Sequence, residues 1–154
     1  MIIKMLIAGS VAALALGATA VQADDTLPVE RLDAVLEHGA AYGFTHYLEI
    51  EAKDRDRVEI EGWLDDEWKA EVHLSLDSGD PLKEERKRLV SGAWGMTEAD
   101  VRLAMETAMA EGMVEFEEME IDQSGLIEVE GRDGDGRELE VTTRLGERAV
   151  VERD

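Results

Sequence analysis

Asp133-Gly134-Asp135-Gly136, with Glu138 two residues on, carries the residue types that hold Ca2+. A helix-loop-helix calcium site needs a longer ladder of oxygen ligands and a Glu at its twelfth position. Counted from Asp133 that position is Arg144, and alternating Asp and Gly between apolar runs is the chemistry of a hairpin turn, so a turn is expected here. The three imidazoles, His38, His46 and His73, are too far apart in the chain for a local metal motif. Ser75, Ser78, Ser91 and Ser124 lie in no nucleophile-elbow pattern, and there is no Cys. Nothing supplies an activated nucleophile with a base and an orienting group. No catalytic residue, resident metal or cofactor is expected, and alternating pairs such as Glu49 and Glu51 or Glu59 and Glu61 read as the wet faces of strands.

Trp63 and Trp68 flank Asp65-Asp66-Glu67. Trp63 is out of phase with the apolar positions around it, whereas Trp68 is in phase. An exposed Trp beside acids suits a basic partner, because Trp is enriched at binding hot spots. Trp63, Asp65, Asp66 and Glu67 are therefore the predicted protein-binding residues, Trp63 being expected on the surface; packing inside the protein is the competing reading.

The elements that would position these groups occur twice. Residues 32–76 return at an offset of 69 as residues 101–145, pairing Glu37 with Glu106, Gly43 with Gly112, Gly62 with Gly131, Val72 with Val141 and Leu76 with Leu145. A repeat of this length sets the architecture. Leu32, Val35, Leu36 and Gly39 form a helical stripe that starts after Pro28 and ends at Gly43. The period then changes to two, giving strands over 44–52, 58–64 and 68–76 and a charged edge strand near 82–85. Thr97 and Asp100 have the spacing of a capping box, opening a second helix that ends at Gly112. Strands follow over 113–121, 126–131, 137–145 and 149–152. The expected fold is α+β: two repeated modules, each an amphipathic helix followed by a three- or four-stranded antiparallel meander, at 24–90 and 97–154 with a linker at 91–96.

Residues 1–23 read as a signal peptide, with Lys4, an apolar run and Val21-Gln22-Ala23 at the cleavage position. Removing Lys4 takes the net charge from −21 to −22. That excess repels nucleic acid and anionic lipid and attracts cations or basic surfaces. The mature chain is expected in the periplasm or outside the cell, off the membrane and without nucleic acid.

The sequence resembles tandem PepSY-type proteins. The matching pieces are Ala41-Tyr42-Gly43 and Ala110-Glu111-Gly112, the strands Val58-Glu59-Ile60-Glu61-Gly62 and Ile127-Glu128-Val129-Glu130-Gly131, and the closing segments at 77–82 and 145–148. The resemblance implies a small exported, non-catalytic binding or regulatory protein acting on another envelope protein, with peptidase inhibition as the usual role. A chain that binds or buffers Ca2+ weakly through its acids is the alternative reading.

Overall fold

The computed structural model describes residues 25–148, 150, 152 and 153. The expected signal peptide, and Ala149 and Val151 of the expected last strand, lie outside the described residues. Leu27–Pro28 forms a short strand, β1, followed by a 3-10 turn at Val29–Arg31 and helix α1 at Leu32–Tyr42. Pro28 thus does not open the helix; it lies extended beside Glu115. Leu32, Val35, Leu36 and Gly39 are the buried stripe of α1, and Gly43 at φ 120 donates its N–H to the Gly39 carbonyl and ends it. Strands β2 (His46–Asp54), β3 (Arg57–Trp63), β4 (Trp68–Ser75) and β5 (Pro81–Arg88) follow. Every residue of β5 is exposed, as suits a charged edge. Thr97 caps α2 (Glu98–Ala110): its hydroxyl accepts from the Asp100 N–H, and the Asp100 carboxylate accepts from the Thr97 N–H. The remaining strands are β6 (Met113–Ile121), β7 (Leu126–Asp133), β8 (Glu138–Arg144) and β9 (Glu152–Arg153).

The expectation of an α+β chain built from two repeated helix-plus-meander modules is overturned by the strand pairing. β2 and β6 pair antiparallel through Glu49 with Glu120, Ile50 with Met119 and Glu51 with Glu118. Among the described residues the strands therefore make one antiparallel sheet in the order β5-β4-β3-β2-β6-β7-β8-β9, with β1 beside β6 and two helices laid on it. Joining there closes two strand edges that would otherwise template association. It also buries Ile50 and Met119 to 0% and 1% exposure, and one apolar cluster runs unbroken from Leu27 to Val141.

Both helices cover the same face. Gly39 of α1 sits against Tyr47 and Ile60, α2 packs on β2, β6, β7 and β8, and Arg102 of α2 pairs with Asp33 of α1. Beside the seam the backbone bulges between Tyr47 and Glu49 and again between Phe116 and Glu118. Gly62 and Gly131 sit opposite these bulges, where an added Cβ would lie 2.2 Å from the His46 carbonyl oxygen and 2.1 Å from that of Glu115. Only glycine permits so close a backbone approach.

Trp63 departs from its expected exposure. It is 1% exposed, while Trp68, expected on the core face, is 40% exposed. The chain leaving β5 crosses this end of the sheet. It is tied to the residue before β4 by the Leu89 N–H donating to the Glu67 carbonyl, and to β2 by reciprocal bonds between Met96 and Tyr47. Trp63 ends β3, the strand between those two ties, so the crossing segment accounts for the burial of a residue whose alternation points to solvent.

Candidate functional site

The face away from the helices is paved with carboxylates by the alternation of the strands. Across the pairing register one line runs Glu85, Glu71, Glu61, Glu49, Glu120, Glu128, Thr142. Its neighbour runs Lys83, His73, Glu59, Glu51, Glu118, Glu130, Glu140. Adjacent rungs lie ~4.8 Å apart and the two lines ~6.8 Å apart by strand geometry. Like charges directly opposite one another destabilise a sheet, so each rung needs a cation, a proton or a partner.

The β2–β5 part carries its own cations. Lys53 pairs with Glu51 and, at 3.1 Å, with Glu59 Oε2; His73 Nε2 lies 2.7 Å from that same oxygen; Lys69 pairs with Glu61. Burial works against the Lys53 ammonium, but its bonds to Glu51 and Glu59 outweigh that and hold its pKa above the usual range. At the offset of 69 Lys53, Lys69 and His73 become Asp122, Glu138 and Thr142. No rung of β6, β7 or β8 is basic; Arg132 and Arg144 stand one step beyond the rungs at either end of β7 and β8.

The consequence shows at the seam. Burial, then the charges of Glu49, Glu120, Glu130 and Glu51, push the Glu118 carboxyl up to about 7. Glu49 is raised by burial and by Glu61, Glu51, Glu120 and Glu59. Beside the seam Glu117, Glu130, Gly131, Glu138, Leu139 and Glu140 line an open depression of about 300 Å3. The corresponding place in the first half holds about 100 Å3 among Glu61, Lys69, Ala70, Glu71, Glu85 and Lys87. The charged residues of the first depression are all glutamates; in the second, two lysines stand against three glutamates.

Of the predicted binding residues, Trp63 is withdrawn into the core. The acids of that hairpin are on the surface, but two have local duties. Asp65 accepts from the N–H groups of Glu67 and Trp68, closing the turn, and Glu67 pairs with Arg88 at 2.8 Å. Asp66 is exposed beside them. In the Asp-Gly hairpin the Asp133 carboxylate accepts from the N–H groups of Asp135 and Arg137, and Arg137 pairs with both Asp133 and Asp135. Those backbone bonds, Arg137 first, hold Asp133 below the usual carboxylate range although burial opposes it. Arg137 is the cation that meets both carboxylates of this turn.

The imidazoles do not converge. His38 Nε2 lies 2.9 Å from the Leu76 carbonyl, His46 Nδ1 lies 3.1 Å from the Thr45 hydroxyl, and His73 faces Glu59. Ligand atoms within 4.8 Å of one another do occur on the acidic face, as Glu49, Glu118 and Glu120, as Glu128, Glu130 and Glu140, and as Glu59, Glu71 and His73. Such groups have the oxygen-rich character that suits hard divalent cations. Sequence reasoning missed Glu118, Glu130, Glu138 and Glu140. The signal was the replacement of Lys53 and Lys69 by acids at the 69-residue offset, whose meaning depends on which strands are neighbours.

No protein-family model and no curated protein matches the chain. Among solved structures it is similar to a candidate lipoprotein from Clostridium difficile 630, at 19% identity and a TM-score of 0.48, covering 83% of this chain and 92% of that one. A likeness at that level carries no argument about function. Among the described residues no helix is long and apolar enough to cross a membrane.

Proposed function

We propose that this is a non-catalytic binding protein of the cell envelope that holds a basic surface of another exported protein on the β6–β8 part of its open sheet face. The observation that carries the reading is the seam itself, where Glu49, Glu118 and Glu120 bring their carboxylate oxygens together and burial with the neighbouring charges pushes the Glu118 carboxyl up to about 7. A basic partner relieves a repulsion that the fold leaves standing, and charge complementarity of this kind speeds encounter and selects partners. Export is supported by the N-terminal segment with Lys4, its apolar run and Val21-Gln22-Ala23. The PepSY resemblance makes an exported peptidase the first class of partner to test. A photo-crosslinking residue at position 138 in intact cells should give a defined adduct that the same residue at position 69 does not. Equal adducts from both positions, or none from 138, would remove the reading.

The carboxylate groups with ligand atoms within 4.8 Å favour a second reading, low-affinity divalent cation binding on the same face. Calcium titration separates the two. Saturable heat at a defined stoichiometry, lost in Glu120→Gln and Glu130→Gln, supports the cation reading; weak non-saturating heat supports the protein partner.

A further inference from the structure

Among the described residues the sheet ends at β5, and no strand covers its outer side. The Leu89 N–H donates inward to the Glu67 carbonyl, so strand alternation turns the backbone of Lys87 and Glu85 towards β4 and that of Arg88, Arg86 and Glu84 outward. Those three residues leave an edge that can template another strand. Charge usually guards such an edge, because like charges repel a second copy. β5 carries both signs: Lys83, Arg86, Lys87 and Arg88 stand with Glu84 and Glu85, and among the described strands it alone has more cations than acids. In a chain of net charge −21, this is where two copies meet with least repulsion.

A two-fold axis normal to the sheet pairs two such edges antiparallel about one residue, and the order of the charges selects which. About Glu85, Glu85 meets itself and Lys83 meets Lys87 twice, against two Glu84–Arg86 pairs. About Glu84, two Lys83–Glu85 pairs stand against one Glu84–Glu84 pair. About Arg86, Glu84 meets Arg88 twice and Glu85 meets Lys87 twice, and only Arg86 faces its like. That guanidinium is drawn back onto its own chain, where Nε donates to the Tyr42 hydroxyl at 3.2 Å and Cζ lies 5.2 Å over the Tyr42 ring. The same register sets the three outward backbone positions opposite one another and brings Leu82 to Val90 at both ends. At 57% and 102% exposure these are the most exposed large apolar side chains among the described residues. We propose that two copies of this chain join edge to edge through β5, antiparallel and centred on Arg86, as one continuous sheet. This does not depend on the reading of a basic partner, and the two-fold axis keeps both β6–β8 faces on the same side of the joined sheet. A contact of one strand pair is small, so the association is weak and depends on concentration.

Sedimentation equilibrium of the mature chain over rising concentration tests this, and the parent should shift from monomer to dimer. Glu85→Lys sets Lys against Lys87 twice and Lys87→Glu sets Glu against Glu85 twice, so each should weaken self-association roughly tenfold. An equimolar mixture of the two variants should associate as the parent does, because its opposed pairs at 85 and 87 are again of opposite sign. Arg86→Pro removes an outward N–H and leaves the inward bonds to β4, a position an edge strand tolerates. It should weaken the dimer to a similar degree while the melting temperature holds. A parent that stays monomeric at every concentration, or one whose association survives both charge variants undiminished, overturns the proposal. Loss in each variant without recovery in their mixture overturns the register centred on Arg86.

Discussion

The region β2–β5 and the region β6–β9 share a backbone logic and differ in how their outer faces are balanced. Each has a bulge opposite a glycine, Gly62 in one and Gly131 in the other, and each meets its helix through buried residues on alternate strand positions. On the outer face the first region sets Lys53, Lys69 and His73 against its glutamates, where the second has Asp122, Glu138 and Thr142. What is shared is what the sheet needs to fold. What differs is an electrostatic deficit that folding does not need and tolerates at some cost, and that is where a binding role is best sought.

The largest effect should come from the shared feature. Gly62→Ala and Gly131→Ala each force a methyl into a backbone carbonyl that cannot retreat without unpicking the bulge, and each should cost about 3 kcal/mol. Urea unfolding of both variants checks this; a large loss for one and none for the other would break the backbone equivalence of the regions.

Next comes the contrast at one matched position. Trp63 is buried to 1% exposure, so Trp63→Ala should cost ~3 kcal/mol, the scale of emptying an aromatic site. Arg132, its counterpart at the offset of 69, is half-buried and donates to the Gly136 carbonyl at 3.4 Å, so Arg132→Ala should cost under ~0.5 kcal/mol. Similar costs would mean that the segment crossing from β5 to α2 does not seal Trp63 as described.

A pH-dependent effect follows from Glu118, whose carboxyl in the folded chain is pushed up from the usual 4.5 to about 7. Between those values the folded state binds more protons than the unfolded one, so this group lowers stability as pH rises from about 4.5 to about 7, and the loss is complete above that. Glu118→Gln removes that penalty. Its melting temperature should exceed that of the parent by a few degrees at pH 8 and match it near pH 4, because solvent screening holds the penalty to about 1–2 kcal/mol. A gain of the same size at both pH values would mean that packing and not ionisation is responsible.

The smallest effect tests the balance directly. Glu138→Lys should raise stability and Lys69→Glu lower it, each by under ~1 kcal/mol at low salt and by less as salt is added. Changes of the opposite sign would overturn the comparison of the two faces.

Much of this could be read along the chain and the decisive part could not. The helix stripes, the capping box at Thr97 and Asp100, the Gly43 terminus and the alternating strands are local patterns, and they lie where local physics puts them. The seam is different. Glu49-Ile50-Glu51 and Glu118-Met119-Glu120 alternate like any half-wet strands, and nothing within either marks the other as its partner. For the same reason Glu118 looks like one more solvated acid until β2 is set beside β6. Trp63 was misplaced because its cover is a segment whose path depends on where β5 ends. The acids at 65–67 were legible as surface residues, but their work in closing the turn and pairing with Arg88 appears only in three dimensions.

The central claim is that the β6–β8 face, and not its counterpart, is the one that takes a cationic partner. Titrating the isotope-labelled chain with a short oligolysine while following backbone amide shifts tests it most directly. The account requires salt-sensitive shifts gathered on Glu118, Glu120, Glu128, Glu130, Glu138 and Glu140, with little change at Glu59, Glu61 and Glu71. Shifts spread evenly over both faces, or centred on β3 and β4, would contradict it.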